Sequence, residues 1–341
     1  GGALGSVLVG VVSPLVFRFN YDLPLAFLVT AGLALAANWR GHWSQRMLWG
    51  AATAAMIAVG VMVHIAYQHD TTVAVRNFYA ALRVTQDEFS IPGTTVRTLL
   101  NGSIQHGTQI FGSDELRHTP TTYYAPDSGI GLALHYCCLL PDGSVRARSI
   151  GVIGLGAGTV AAYGRPGDRF RFYEINPAVE PIARNVFTYM RESGAWSIDV
   201  IPGDARTSLE RSAPQGFNVL VIDAFSGDAV PLHLLTMQAM AIYRRHLAPR
   251  GVMAFHISNQ HVNLAPPIAL LAAAEGMQAR RISSLANEPR GEFSATWVLV
   301  SDNSAFFAQP VVAAHSFPIK PKPGLRIWTD DYSALLPVLR W

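Results

Sequence analysis

The chain has 341 residues, half of them hydrophobic and 14% charged, with a formal net charge of +3. That length allows two or three domains with separate cores, and the small, scattered positive charge excludes the basic patch that nucleic-acid binding needs. The composition is too apolar for an ordinary soluble enzyme, and the excess sits at the N-terminal end.

Residues 1–70 contain three apolar segments, "ALGSVLVGVVSPLVF", "LPLAFLVTAGLALAANW" and "MLWGAATAAMIAVGVMVHIAY". The third reaches the roughly twenty residues a membrane span requires. Three such runs in succession, almost without charge, predict transmembrane helices and a multi-pass membrane protein. The chain opens on glycine inside an apolar run, so further membrane sequence is expected upstream. Arg40 and Arg46 lie between the second and third runs, and the positive-inside rule would place that loop in the cytoplasm. A site for a cytosolic cosubstrate demands the opposite orientation, and we expect the domain that follows to be cytoplasmic.

Residues 71–148 change character. "VAVRNFYAALRVTQ", "TTVRTLLNGSIQHGTQIF" and "GIGLALHYCCLL" read as strands separated by turn residues, predicting a small antiparallel β domain. Cys137 and Cys138 are the only cysteines, and they read as small buried hydrophobes in the last of these strands. Residues 149–302 then alternate strand-like and helical runs, with strands expected at 149–154, 169–174, 197–201, 217–223, 251–257, 278–284 and 295–301. That rhythm predicts an α/β, doubly wound, Rossmann-like sheet of the class I methyltransferase type. The tail, 303–341, is rich in proline and lysine, and we expect it to close over the cleft.

Gly154, Gly156 and Gly158 form G-x-G-x-G directly after the first strand of this sheet. Glycines there let the backbone turn tightly and approach a ligand. Glu174 ends the second strand, where an acid can bind both ribose hydroxyls. Asp204 ends the third, where the carboxylate or its neighbouring amides can read an adenine. The alternative is that Glu174 and Asp204 only cap helices. The glycine spacing and the third-strand acid match S-adenosylmethionine-type ligands better than a pyrophosphate dinucleotide. Asp223 ends the fourth strand in the same crevice, where it can take a proton from an amine or hold a cationic substrate, and Asp228 follows in a loop. His233, His256 and His261 show no metal-ligand spacing, and no metal is expected; His256 reads as a polar residue at the mouth of the fifth strand.

Taken together, "RNFYAALRV", "NGSIQHGTQ", "TPTTYYAPDSGIGLAL", "VIGLGAGTVAAY", "FYEINP", "PGDAR", "VIDAFSGDAVPLHLLT" and "WTDDYSALLP" resemble the spermidine synthase (polyamine aminopropyltransferase) family, in particular its membrane-fused branch. The resemblance implies a transferase of polyamine biosynthesis. Its cosubstrate would be decarboxylated S-adenosylmethionine, giving an aminopropyl group to a polyamine acceptor such as putrescine. It further implies Glu174 at the ribose, Asp204 at the adenine side, Gln105 against the nucleoside, Tyr124 lining the diamine channel and Asp223 as base. A homodimer is a further expectation. Two departures stand out. The family's glycine turn carries an aspartate where this chain has Ala157, and Asp228 lies five residues after Asp223 where the family's second acid lies three after. Asp330 and Asp331 are candidates to replace the lost negative charge. Two rivals remain: a methyltransferase using intact S-adenosylmethionine, which Ala157 favours, and a non-catalytic membrane-coupled module that senses a nucleoside or polyamine.

Overall fold

The computed structural model describes residues 2–138, 146–224 and 231–340. The chain divides into two compact units, Gly1–Asp87 with Leu99–Ser103, and Glu88–Thr98 with Ile104–Trp341.

The first unit opens with helices α1 (Gly2–Val16), α2 (Asp22–Ala37) and α3 (Trp43–Gln68). At 1.5 Å per residue, α3 extends about 39 Å and exceeds a hydrocarbon core of about 30 Å, whereas α2 reaches only about 24 Å. Among the described residues one helix, α3, is therefore long and apolar enough to cross a membrane, and none of its residues is buried. The expectation of several spanning helices is reduced to this single candidate, because α1 ends at the break at residues 17–21 and α2 at the turn at residues 38–41. The acid at the start of α2 is not left unpaired: Arg76 donates to Asp22 at 2.6 Å and to the Phe19 carbonyl at 3.0 Å.

Strands β1 (Thr71–Arg76), β2 (Ala81–Glu88), β3 (Thr95–Asn101) and β4 (Ile104–Phe111) form a four-stranded sheet in that order. These strands realise the β-rich reading of residues 71–111. The reading fails for "GIGLALHY". Gly129–Tyr136 is helix α5, which follows the short α4 (Asp114–His118), and the Ser128 hydroxyl caps it by accepting the Gly131 amide. The apolar run is continuous because the helix is buried on nearly all sides. A Cβ on Gly129 would sit 2.3 Å from the Trp297 Cβ, so glycine is what allows the helix to lie this close to the sheet. Cys137 is buried at the end of this helix rather than in a strand.

The second unit is built on an eight-stranded sheet. Its strands are β5 (Ser149–Ile153), β6 (Arg169–Glu174), β7 (Ser197–Pro202), β8 (Phe217–Ile222), β9 (Leu247–His256), β10 (Gln278–Ser284), β11 (Ala295–Ser301) and β12 (Ser316–Pro318), and all seven expected strands are present. The order is β7-β6-β5-β8-β9-β11-β10-β12. Strands β5 to β9 pair in parallel, and β11 runs antiparallel between β9 and β10. The inner strands are buried along almost their whole length, as expected of a sheet covered on both faces. The order in which successive strands are added reverses between the parallel neighbours β5 and β8, and ligands of open α/β sheets bind outside the carboxyl ends at such a point.

Candidate active site

The glycine turn leaves β5 at this switch point. Gly154 and Gly156 adopt φ of 97° and 54°, a region that favours glycine. A Cβ on Gly154 would lie 2.4 Å from the Asp223 carbonyl oxygen, and one on Gly156 would lie 2.6 Å from that of His106. The turn is thus clasped between the end of β8 and strand β4. The Ala157 amide donates to the His106 carbonyl at 3.1 Å, and the Ala157 methyl fills the space left by the missing Cβ of Gly107. Ala157 is only 1% exposed. An acid at this position would be buried against β4.

Glu174 receives the Leu155 amide on one carboxylate oxygen at 3.0 Å and the Asn176 amide on the other at 2.8 Å. It therefore ties the glycine turn to the end of β6. Burial raises its pKa above the ordinary carboxylate range despite these amide bonds. Asp204 behaves differently. It caps helix α7 (Ala205–Arg211), which follows the short α6 (Val179–Asn185), by accepting the Thr207 amide at 2.8 Å, and its second oxygen meets His233 Nε2 at 3.1 Å. Burial works to raise its pKa, but the Thr207 and His233 contacts outweigh it and hold the carboxyl below the ordinary range. The helix-cap alternative thus describes Asp204 and does not describe Glu174.

Asp223 stands one residue beyond β8, and both its carboxylate oxygens are occupied. The Tyr124 hydroxyl donates to one at 2.5 Å, and His256 Nδ1 lies 2.7 Å from the other. Asp223 and His256 side chains are each 5% exposed. The register explains the meeting: Ile222 pairs with Phe255, so the next residues on two parallel strands, 223 and 256, lie side by side. His256 also pairs across strands with Trp297, whose ring stacks on the imidazole at 4.6 Å. Tyr123 stacks on the imidazole at 4.3 Å, and the Trp297 indole N–H donates to the Tyr123 carbonyl at 3.1 Å. On the far edge, His256 Nε2 lies 2.8 Å from the Ser258 hydroxyl, which accepts the Thr296 amide at 2.9 Å.

A carboxylate only accepts, so Nδ1 carries the imidazole proton and Nε2 accepts from Ser258 in the neutral ring. Burial, and then the Asp223 charge, push the Tyr124 phenol well above its usual pKa, so it remains a donor across the working range. His106 completes the group electrostatically. Burial lowers its pKa while Asp223 opposes the shift, and its Nε2 has no hydrogen-bond partner among the described residues. Gln105, its neighbour on β4, is exposed.

The tail passes the same edge of the sheet. The Trp328 carbonyl accepts the Met237 amide at the start of helix α8 (Met237–His246), and the Val338 carbonyl accepts the Asn263 amide just beyond β9. Asp330 does not stand free: Arg206 reaches it at 2.7 Å and the Thr236 hydroxyl donates to it at 2.8 Å. Asp331 is exposed beside it. Asp228 lies outside the described residues.

The chain is 32% identical over 113 residues to the polyamine aminopropyltransferase of Vibrio vulnificus (strain CMCP6). The match takes in 32% of this chain and spans about a third (37%) of that relative's length. A crystal structure of a probable spermidine synthase from Corynebacterium glutamicum ATCC 13032 superposes on 75% of this chain and 95% of its own, with TM-score 0.53 and 17% identity. The fold is spermidine synthase-like. The resemblance to that family read from the motifs holds. The spermidine synthase of Thermotoga maritima matches at TM-score 0.48 and 12% identity, over 74% of this chain and 80% of its own. No family model matches the chain.

In this spermidine synthase-like chain, Gly154, Gly156, Gly158, Glu174, Asp223 and Tyr124 converge at the carboxyl edge of β5, β6 and β8. His256 was legible as a strand-mouth residue but not as the partner of Asp223. Its signal was two successive apolar strands, each ending on a polar residue. Tyr123, Trp297, Ser258 and His106 carried no such signal, because their places follow from pairings distant in sequence.

Proposed function

We propose that the chain is an aminopropyltransferase, moving an aminopropyl group from decarboxylated S-adenosylmethionine to a polyamine acceptor such as putrescine. The observation that carries this reading is the hydrogen bond between Tyr124 and Asp223, 99 residues apart in sequence, beside the glycine turn and Glu174. Glu174 would take the ribose, Gln105 the nucleoside face and Asp204, with its neighbouring amides, the adenine side. The sulfonium of the donor supplies the leaving group. An acceptor amine with pKa near 10.4 holds its proton at neutral pH, and freeing it costs about 4 kcal/mol at a pH near 7.4. Asp223 is the base assigned to that task, with Tyr124 fixing it beside the amine. Asp228, Asp330 and Asp331 are assigned to attraction of the cationic chain. We further propose the four-part organisation of residues 1–70, 71–148, 149–302 and 303–341, a homodimer, and attachment to a membrane through the N-terminal helices with the catalytic part in the cytoplasm.

One observation favours a second reading. The buried Ala157 puts no acid in the glycine turn, which suits intact S-adenosylmethionine and methyl transfer. Calorimetry on the full chain separates the two. The first reading expects tighter binding of the decarboxylated compound, lost in the Asp204→Asn/Asp223→Asn variant; tighter binding of the intact compound supports methyl transfer instead.

A further inference from the structure

A carboxylate at the end of a strand can rotate about its terminal bond, and a base that rotates spends little time facing its substrate. Here rotation is blocked from both sides. The Tyr124 hydroxyl holds one oxygen of Asp223 and His256 Nδ1 the other. The imidazole is itself held on four sides: Tyr123 and Trp297 cover its faces, Ser258 meets Nε2 and Asp223 meets Nδ1. Ser258 is in turn fixed by the Thr296 amide. A residue that only walled the crevice would need neither the paired rings nor the polar chain behind them.

We propose that His256 is the positioning residue of Asp223, holding the carboxylate by its Nδ1–H so that the remaining lone pairs face the acceptor amine. The proposal rests on the aminopropyltransferase reading. In the reaction, the acceptor ammonium gives one proton to Asp223. The freed nitrogen attacks the carbon bonded to sulfur. The C–N bond forms as the C–S bond breaks, and its electron pair turns the sulfonium into a thioether. The product nitrogen remains protonated, and the carboxylic acid returns its proton to solvent. His256 gains and loses no proton, and its role is to keep the acceptor oxygen in place throughout.

Two variants of the full chain separate positioning from packing. His256→Phe keeps a stacked ring and removes the donor, whereas His256→Asn keeps an N–H donor near the Nδ1 position and removes the ring. The Phe variant is expected to lose about 10- to 100-fold in kcat, the worth of one hydrogen bond to a buried charge, with the amine KM little changed. The Asn variant should recover most of that loss. Activity of His256→Phe within twofold of wild type, or His256→Asn no better than His256→Phe, would overturn the proposal. Histidine side-chain NMR on the full chain decides the contact without turnover: a slowly exchanging His256 Nδ1–H signal is expected, lost in Asp223→Ala. Absence of that signal in the wild type also overturns the proposal. A wild-type chain with this signal but without transfer from either donor would sink the aminopropyltransferase reading and leave the contact standing.

Discussion

Replacing Tyr124 with phenylalanine isolates the contact on which the proposed chemistry depends. The substitution removes one oxygen and keeps the ring, which stays packed because Tyr124 is only 4% exposed. The lost interaction is a 2.5 Å hydrogen bond to a carboxylate that is itself 5% exposed, so water has little access to replace the donor. Hydrogen bonds to charged groups in such surroundings contribute about 1.5–3 kcal/mol. Felt in the transition state, that predicts a fall of about 10- to 100-fold in kcat/KM. Initial-rate assays with a fixed donor and varied putrescine measure it. The same change made in an Asp223→Asn background should cost far less, because its partner is already neutral. An effect within twofold in the wild-type background, or an equal loss in both backgrounds, would refute the reasoning.

Three further outcomes follow from named contacts. Ala157→Asp, which restores the acid seen in the spermidine synthase family, should destabilise the protein by about 3–5 kcal/mol without improving amine affinity, because its carboxylate would be buried against Gly107; denaturant melts and amine titration check both halves. Gly154→Ala should cost about 1–3 kcal/mol from its φ of 97° alone, and more from the close approach to the Asp223 carbonyl, read as a lowered melting midpoint. Arg206 holds the Asp330 pKa below its ordinary value, so this contribution to stability is present at neutral pH and is lost as pH falls through the depressed folded-state value. The stability gap between wild type and Arg206→Gln should therefore begin to narrow as pH falls below about 4 and close once pH is below the depressed folded-state value, and a gap that stays constant or widens over that descent contradicts the assignment.

Much of the second unit was legible because buried parallel strands are written as short, nearly unbroken apolar runs. Asp223 was legible for the same reason, as the first polar residue after such a run, whereas Glu174 closes an alternating strand, RFRFYE, and was legible from its place about twenty residues after the glycine turn. The same signal misled at Gly129–Tyr136, where a helix buried on nearly all sides produces an equally unbroken run and periodicity does not separate helix from strand. Asp204 and Asp330 were visible as acids, but a sequence does not show that Thr207, His233 and Arg206 occupy them. The His256 contact depends on the β8–β9 register and its stacking on β11, and registers are set by pairings that no local pattern encodes. Apolar composition likewise marked three N-terminal segments, while the lengths that separate one candidate span from two shorter helices depend on where turns interrupt them.

The central claim is the nature of the transferred group. The most direct test incubates the full chain with putrescine and either decarboxylated or intact S-adenosylmethionine, and follows the acceptor by mass spectrometry. In the wild type putrescine should gain an aminopropyl unit from the decarboxylated donor, and the rate of its formation should fall sharply, though not to zero, in Asp223→Asn. Gain of a methyl group from the intact donor, or an aminopropyl product formed at an undiminished rate in Asp223→Asn, would contradict the claim.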